Sequence, residues 1–205
     1  NMSFKIFLFM SVVLILLSCS KDKTVYQATE KINPYAMYKE AYDAFEINDF
    51  FNASKKFSEA EINFEKIDLA AKSAIMSCFS LYGINFYDEA LDCIERFTNT
   101  YPSDKKLIYV EYLKAVIFFE QMSDEKKDIK PLLDASKQIE IFVEKYPESD
   151  YAIDLKFKKN LIINQLAAKE LYIAKYYIST QKWIPAINRL KTIVSKYDKT
   201  IFVEE

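Results

Sequence analysis

Small and apolar residues recur along this chain with one fixed spacing. Ala90, Ile94, Phe97 and Pro102 stand four, three and five residues apart, and Ala135, Ile139, Phe142 and Pro147 repeat those intervals. Ala186, Leu190, Ile193 and Asp198 do so again, while Ala53, Phe57, Ala60 and Glu65 form a looser copy. Steps of three and four keep the apolar members on one helical face. The leading alanine admits a close partner helix. Each Tyr-Pro pair (Tyr101-Pro102, Tyr146-Pro147) stops its helix one residue before the proline. A small residue twelve positions upstream marks the partner: Ala41 before Ala53, Cys78 before Ala90, Ala174 before Ala186.

Start and stop signals divide the pattern into helices. Asn33-Pro34 opens the first, with Asn as cap and Pro in the first turn. The expected helices are Tyr35–Asn48, Phe50–Phe64, Asp68–Phe86, Tyr87–Tyr101, Asp104–Met122, Pro131–Tyr146, Asp150–Thr180 and Trp183–Tyr197. Ser123–Lys130 is charged and reads as a loop. The position twelve before Ala135 is Ser123, so the first helix of that unit must be offset or extended.

Paired helices of this kind resemble the tetratricopeptide repeat and imply an all-α superhelix of about four stacked hairpins over residues 33–205. The spacings between successive units, 37, 45 and 51 residues, exceed the family's usual 34, so the array is irregular. The residues expected to pack the repeats are Ala41, Ala53, Phe57, Cys78, Ala90, Ile94, Pro102, Ala135, Ile139, Pro147, Ala174, Ala186 and Leu190. In the repeat family the first helices line a groove. Transferred here, that groove is Tyr35, Tyr38, Tyr42 and Phe45 in unit one, and Ile75, Phe79 and Tyr82 in unit two. Tyrosine offers apolar area with a polar tip, which suits a peptide; the plainer alternative is packing against the next repeat.

Composition narrows the chemistry. One Gly and five Pro in 205 residues are too few for a fold built on tight turns. A net charge of −2 leaves no nucleic-acid footprint. With no His, the commonest general base and the commonest metal ligand are both missing. No phosphate loop, triad or metal spacing can be assembled, so we expect no cofactor, no metal and no enzyme. Carboxylate pairs such as Glu59/Glu61 and Asp88/Glu89 read as solvated helix faces. Cys78 and Cys93 read more simply as buried thiols than as a disulfide, although export would permit the bond.

The N-terminus is a separate segment. Lys5 precedes the apolar run Ile6 to Leu17, broken only by Ser11, and Ser18-Cys19-Ser20 and Lys21-Asp22-Lys23 follow. Twelve helical residues span about 18 Å, short of a bilayer core of about 30 Å. The run reads as an export signal, residues 1–18. Ser18 and Ser20 could serve an ordinary signal-peptidase site. Alternatively Leu16-Leu17-Ser18-Cys19 resembles a bacterial lipobox, which implies N-palmitoyl and S-diacylglycerol groups on Cys19 and a lipidated tether over residues 19–32. Three acyl chains would anchor the chain durably, since about two suffice.

The order of motifs is more specific than the repeats. Glu95-Arg96-Phe97 through Tyr101-Pro102, Tyr109, Tyr112-Leu113, Tyr146-Pro147-Glu148-Ser149-Asp150-Tyr151, Leu166-Ala167-Ala168-Lys169-Glu170-Leu171, Tyr176-Tyr177, Ala186-Ile187-Asn188-Arg189 and Glu204-Glu205 follow Cys19 in turn. Together they resemble the BamD (YfiO) family, tetratricopeptide lipoproteins of the bacterial outer-membrane β-barrel assembly machinery. The resemblance implies a periplasmic scaffold, lipid-anchored to the outer membrane of a Gram-negative cell. Its implied partners are a BamA-type insertase, other assembly lipoproteins and unfolded outer-membrane protein segments. Tyr197-Asp198 departs from Tyr-Pro, and the family's fifth repeat is not reached by Glu205, so a C-terminal truncation is expected. The other reading is a periplasmic tetratricopeptide lipoprotein serving the cell wall or a secretion system.

Overall fold

The structure, a computed structural model, describes residues 33–121 and 129–203. The signal (1–18) and tether (19–32) expectations, with Cys19, lie outside them. Eight helices are described: α1 Pro34–Glu46, α2 Phe50–Asn63, α3 Ile67–Gly83, α4 Tyr87–Thr100, α5 Leu107–Glu120, α6 Lys130–Lys145, α7 Asp150–Ser179 and α8 Trp183–Lys196. A short 3-10 turn, Ile201–Val203, packs against α7 and α8. Each helix packs on the next, which makes an all-α, tetratricopeptide-like superhelix of four stacked hairpins, α1/α2 to α7/α8. No helix among the described residues is long and apolar enough to cross a membrane.

Local chemistry explains the helix ends. Asn33 Oδ1 accepts from the Tyr35 and Ala36 amides, Asp49 Oδ1 from the Asn52 amide and Ser149 Oγ from the Ala152 amide. Three hairpin turns share one backbone device. Asn48, Asn85 and Gln181 sit at φ 62°, 59° and 58°, each five residues before the packing alanine. The next amide (Asp49, Phe86, Lys182) reaches back to the Ala44, Leu81 or Tyr177 carbonyl, satisfying the free carbonyls of the first helix. The single glycine serves another purpose. A Cβ on Gly83 would lie 3.2 Å from the Phe50 ring, so Gly83 lets unit two approach unit one.

The packing alanines are buried at every expected position. Ala41, Ala53, Ala90, Ala135 and Ala174 are fully inaccessible, and Ala186 nearly so. Phe57, Ile94 and Ile139 are buried in clusters that reach into the helix following their unit. Phe57 shares its cluster with Met76 of α3, Ile94 with Val110 and Leu113 of α5, and Ile139 with Ala152 and Leu155 of α7. Leu190 departs from this. It is 36% exposed, because no described helix lies over that face of α8. Pro102 and Pro147 are also exposed and act only as terminators; Tyr101 and Tyr146 beside them supply the packing.

Two further expectations are corrected, and a third is settled between its two alternatives. The buried-thiol reading of Cys78 and Cys93 fails: the two are disulfide-bonded, with Cα atoms 5.4 Å apart, and tie α3 to α4. Cys78 faces Ala90 across the hairpin, and Cys93 lies one turn beyond Ala90 on the same face, so antiparallel packing brings the sulfurs together. Ile75 is buried in the unit-two core with Cys78 and Ile94, because its face of α3 meets α4 and α5. It lines no groove. Finally, the small residue of unit three is Ala115, twenty positions before Ala135 and buried in the same cluster. Of the two expected alternatives, offset or extended, the first helix of this unit is offset, with its small residue eight positions before Ser123.

Helix α7 runs for 30 residues, about 45 Å. Its first half (Ala152, Leu155, Ile162) completes the core of unit three, and Ala174 in its second half is buried against α8. One helix therefore couples the last two units.

Candidate peptide-recognition face

The first-helix residues of units one and two assemble a row of rings. Tyr35 meets Phe64 edge-on at 5.1 Å, and Tyr38 lies 5.2 Å from Phe57. Phe45 contacts Phe79 of the next unit at 5.9 Å, Phe79 contacts Tyr82 at 5.9 Å, and Tyr82 contacts Tyr87 at 6.3 Å. Each edge-on or offset contact contributes roughly 0.5–1.5 kcal/mol beyond area burial and fixes the ring planes. Tyr35 and Tyr42 are largely solvent-exposed, at 58% and 43%. Tyr38, Phe45, Phe79 and Tyr82 are half-buried. The set is thus divided: two exposed tyrosines stand over a floor of four packed rings, and Ile75 lies in the core beneath.

The row leads toward a cleft of about 540 Å³ lined by Tyr87, Phe118, Glu120, Gln121, Pro131 and Asp134. Burial, together with the Glu120 carboxylate and Tyr87, pushes the Tyr82 hydroxyl above its ordinary value. A second tyrosine group follows in unit three. Tyr112 stacks on Tyr151 at 4.6 Å, and its hydroxyl donates to Asp154 Oδ2 at 2.9 Å. Lys158 pairs with Asp154 at 3.2 Å and sits over the Phe119 ring. Sequence reasoning placed Tyr109, Tyr112 and Tyr151 in the resemblance but assigned them no surface. It missed Ile153, Phe157 and Leu161 as well, exposed on successive turns of α7 at a readable spacing of four.

One charged cluster holds units one and two together. Glu61 of α2 is buried at 7% exposure, which corrects its reading as part of a solvated pair. Arg96 of α4 donates to its two carboxylate oxygens at 2.7 and 2.9 Å, and the Tyr101 hydroxyl donates to Oε1 at 2.9 Å. The position was legible: Glu61 follows Phe57 by four and shares its buried face. A second clasp, Arg189 of α8 to Glu170 of α7, closes unit four at 3.1 Å.

The Tyr101 hydroxyl is pushed from 10.0 up to about 12, first by burial and then by its bond to Glu61. A raised tyrosine keeps its proton in the fold where the unfolded chain has lost it. Its stabilisation is therefore complete below about pH 10 and is lost as pH rises through about 12. Urea unfolding across that window should show a steeper alkaline loss for the native chain than for Tyr101→Phe. Equal slopes would show that Tyr101 does not carry it.

Stacked helical hairpins with packed aromatic rows and inter-helix clasps define a tetratricopeptide-like helical array. The family is specific: the model described as YfiO, outer membrane lipoprotein, matches residues 30–205, and the chain belongs to that family. Its relatives include outer membrane protein assembly factors BamD. That of Caulobacter vibrioides is 28% identical over 169 residues, covering 82% of this chain and 55% of the relative. That of Rickettsia prowazekii is 29% identical over 153 residues, covering 71% and 61%, and that of Neisseria gonorrhoeae is 27% identical over 214, covering 98% and 80%. The chain thus spans less than two thirds of the length of the first two.

Proposed function

We propose that this chain is a non-catalytic scaffold of outer-membrane β-barrel assembly, held on the periplasmic face of the outer membrane by lipid on Cys19. It binds a BamA-type insertase and other assembly lipoproteins, and offers the Tyr35–Tyr82 ring row to extended, aromatic-rich segments of unfolded barrel proteins. The family match over residues 30–205 carries this reading. The exposed tyrosines above a rigid aromatic floor support it, since such a surface gains contact area at low entropic cost. The disulfide supports export, because such bonds persist in oxidising compartments.

The test uses the full chain. Tyr35→Ala combined with Tyr42→Ala should weaken capture of a urea-unfolded β-barrel protein by about tenfold. The urea midpoint should fall only slightly, because both side chains are largely exposed and give up just their contacts with Phe64 and Phe45. Unaltered capture would remove the ring row from the proposal. Solubilised membranes should yield the chain together with a large integral β-barrel protein, and its consistent absence would count against the assembly role. Cys19→Ala should abolish acyl labelling.

A further inference from the structure

Cys78 and Cys93 sit where a tetratricopeptide hairpin places small packing residues, yet they are covalently joined. They are 1% and 8% exposed, surrounded by Ala74, Ile75, Ala90 and Ile94. Thiol–disulfide exchange requires a thiolate to approach a sulfur in line, and apolar surroundings also disfavour the thiolate itself. Neither condition is met once α3 and α4 have closed.

We propose that this bond is installed on the still-open chain by a dithiol oxidase of the export compartment, and that closure of unit two then seals it from exchange. One cysteine thiolate attacks the oxidase's own disulfide, forming a mixed disulfide and releasing one oxidase thiolate. The second cysteine attacks the protein-side sulfur of that mixed disulfide. The Cys78–Cys93 bond forms, the second oxidase thiolate leaves, and the two thiol protons pass to solvent or to the oxidase. Two electrons move to the oxidase, which ends as a dithiol. The chain has three cysteines. A thioether on Cys19 leaves only one possible pairing, so lipidation and oxidation do not compete for sulfur. The proposal rests on the export reading for the source of the oxidant alone.

Two measurements test it. The full chain is expressed in cells with and without their periplasmic dithiol oxidase, quenched in acid, and tagged with maleimide-polyethylene glycol in denaturant. With the oxidase, the two tags of Cys78 and Cys93 should appear only after reduction; without it, they should appear directly. Equal oxidation in both strains overturns the role of the oxidase. Two free thiols in a protease-accessible chain of oxidase-positive cells do the same, whereas two free thiols in a protease-protected chain sink the export reading instead. The second measurement is independent of export. The purified, oxidised chain is treated with dithiothreitol in native buffer and in urea. Reduction in native buffer should be slower by at least about tenfold, limited by opening of unit two. Equal rates would overturn the sealing.

Discussion

Phe57→Ala is expected to destabilise the protein by about 3–5 kcal/mol, the range for emptying an aromatic site in a core. Phe57 is fully buried, where α1, α2 and α3 meet. Its ring supports Tyr38 at 5.2 Å and Phe45 at 6.5 Å. The cavity would therefore lie beneath the ring row of unit one, and the rings above it would lose their fixed planes. Urea unfolding reads the stability, and near-ultraviolet circular dichroism reads the ring order. A loss under about 1 kcal/mol would mean that unit one collapses to refill the site, a relaxation that large-to-small series show to be partial.

Arg96→Ala follows, at about 3 kcal/mol. The effect is asymmetric. Glu61 is buried, whereas the Arg96 side chain is nearly half exposed. Removing Arg96 strands a carboxylate with only the Tyr101 hydroxyl as donor. Removing the charge at Glu61 instead, as Glu61→Gln, keeps the packing and lets the guanidinium turn to water, for about 1 kcal/mol. Urea midpoints of the two variants should fall in that order. The reverse order would show that the pair is solvated like an ordinary surface bridge.

Most of the architecture was legible because helical period and stop signals are local. The expected Asp150–Thr180 helix differs from α7 by one residue, and the expected Trp183–Tyr197 helix differs from α8 likewise. The packing alanines could be read because a small residue repeated at one register has few other uses. The ring row was legible in outline only. Periodicity placed Ile75 beside Phe79 and Tyr82, but which flank of α3 meets α4 and α5 depends on the crossing of three helices, and that crossing buried Ile75. Leu190 shows the same dependence, since its burial requires a neighbouring helix over α8. Glu61 was misread because charge was weighed ahead of register.

By itself, the sequence determined that this protein is a series of helical hairpins, where each helix stops, and to which family the motif order points. Those properties are written in intervals of three, four and twelve residues and in Tyr-Pro terminators. The tertiary structure alone decided that Cys78 bonds Cys93, that Glu61 clasps Arg96 across two units, and that two tyrosines of the row stand exposed. Each joins residues 15 or more positions apart or ranks neighbours on one helix by exposure. Such outcomes are set by how helices cross, and a local pattern cannot carry that.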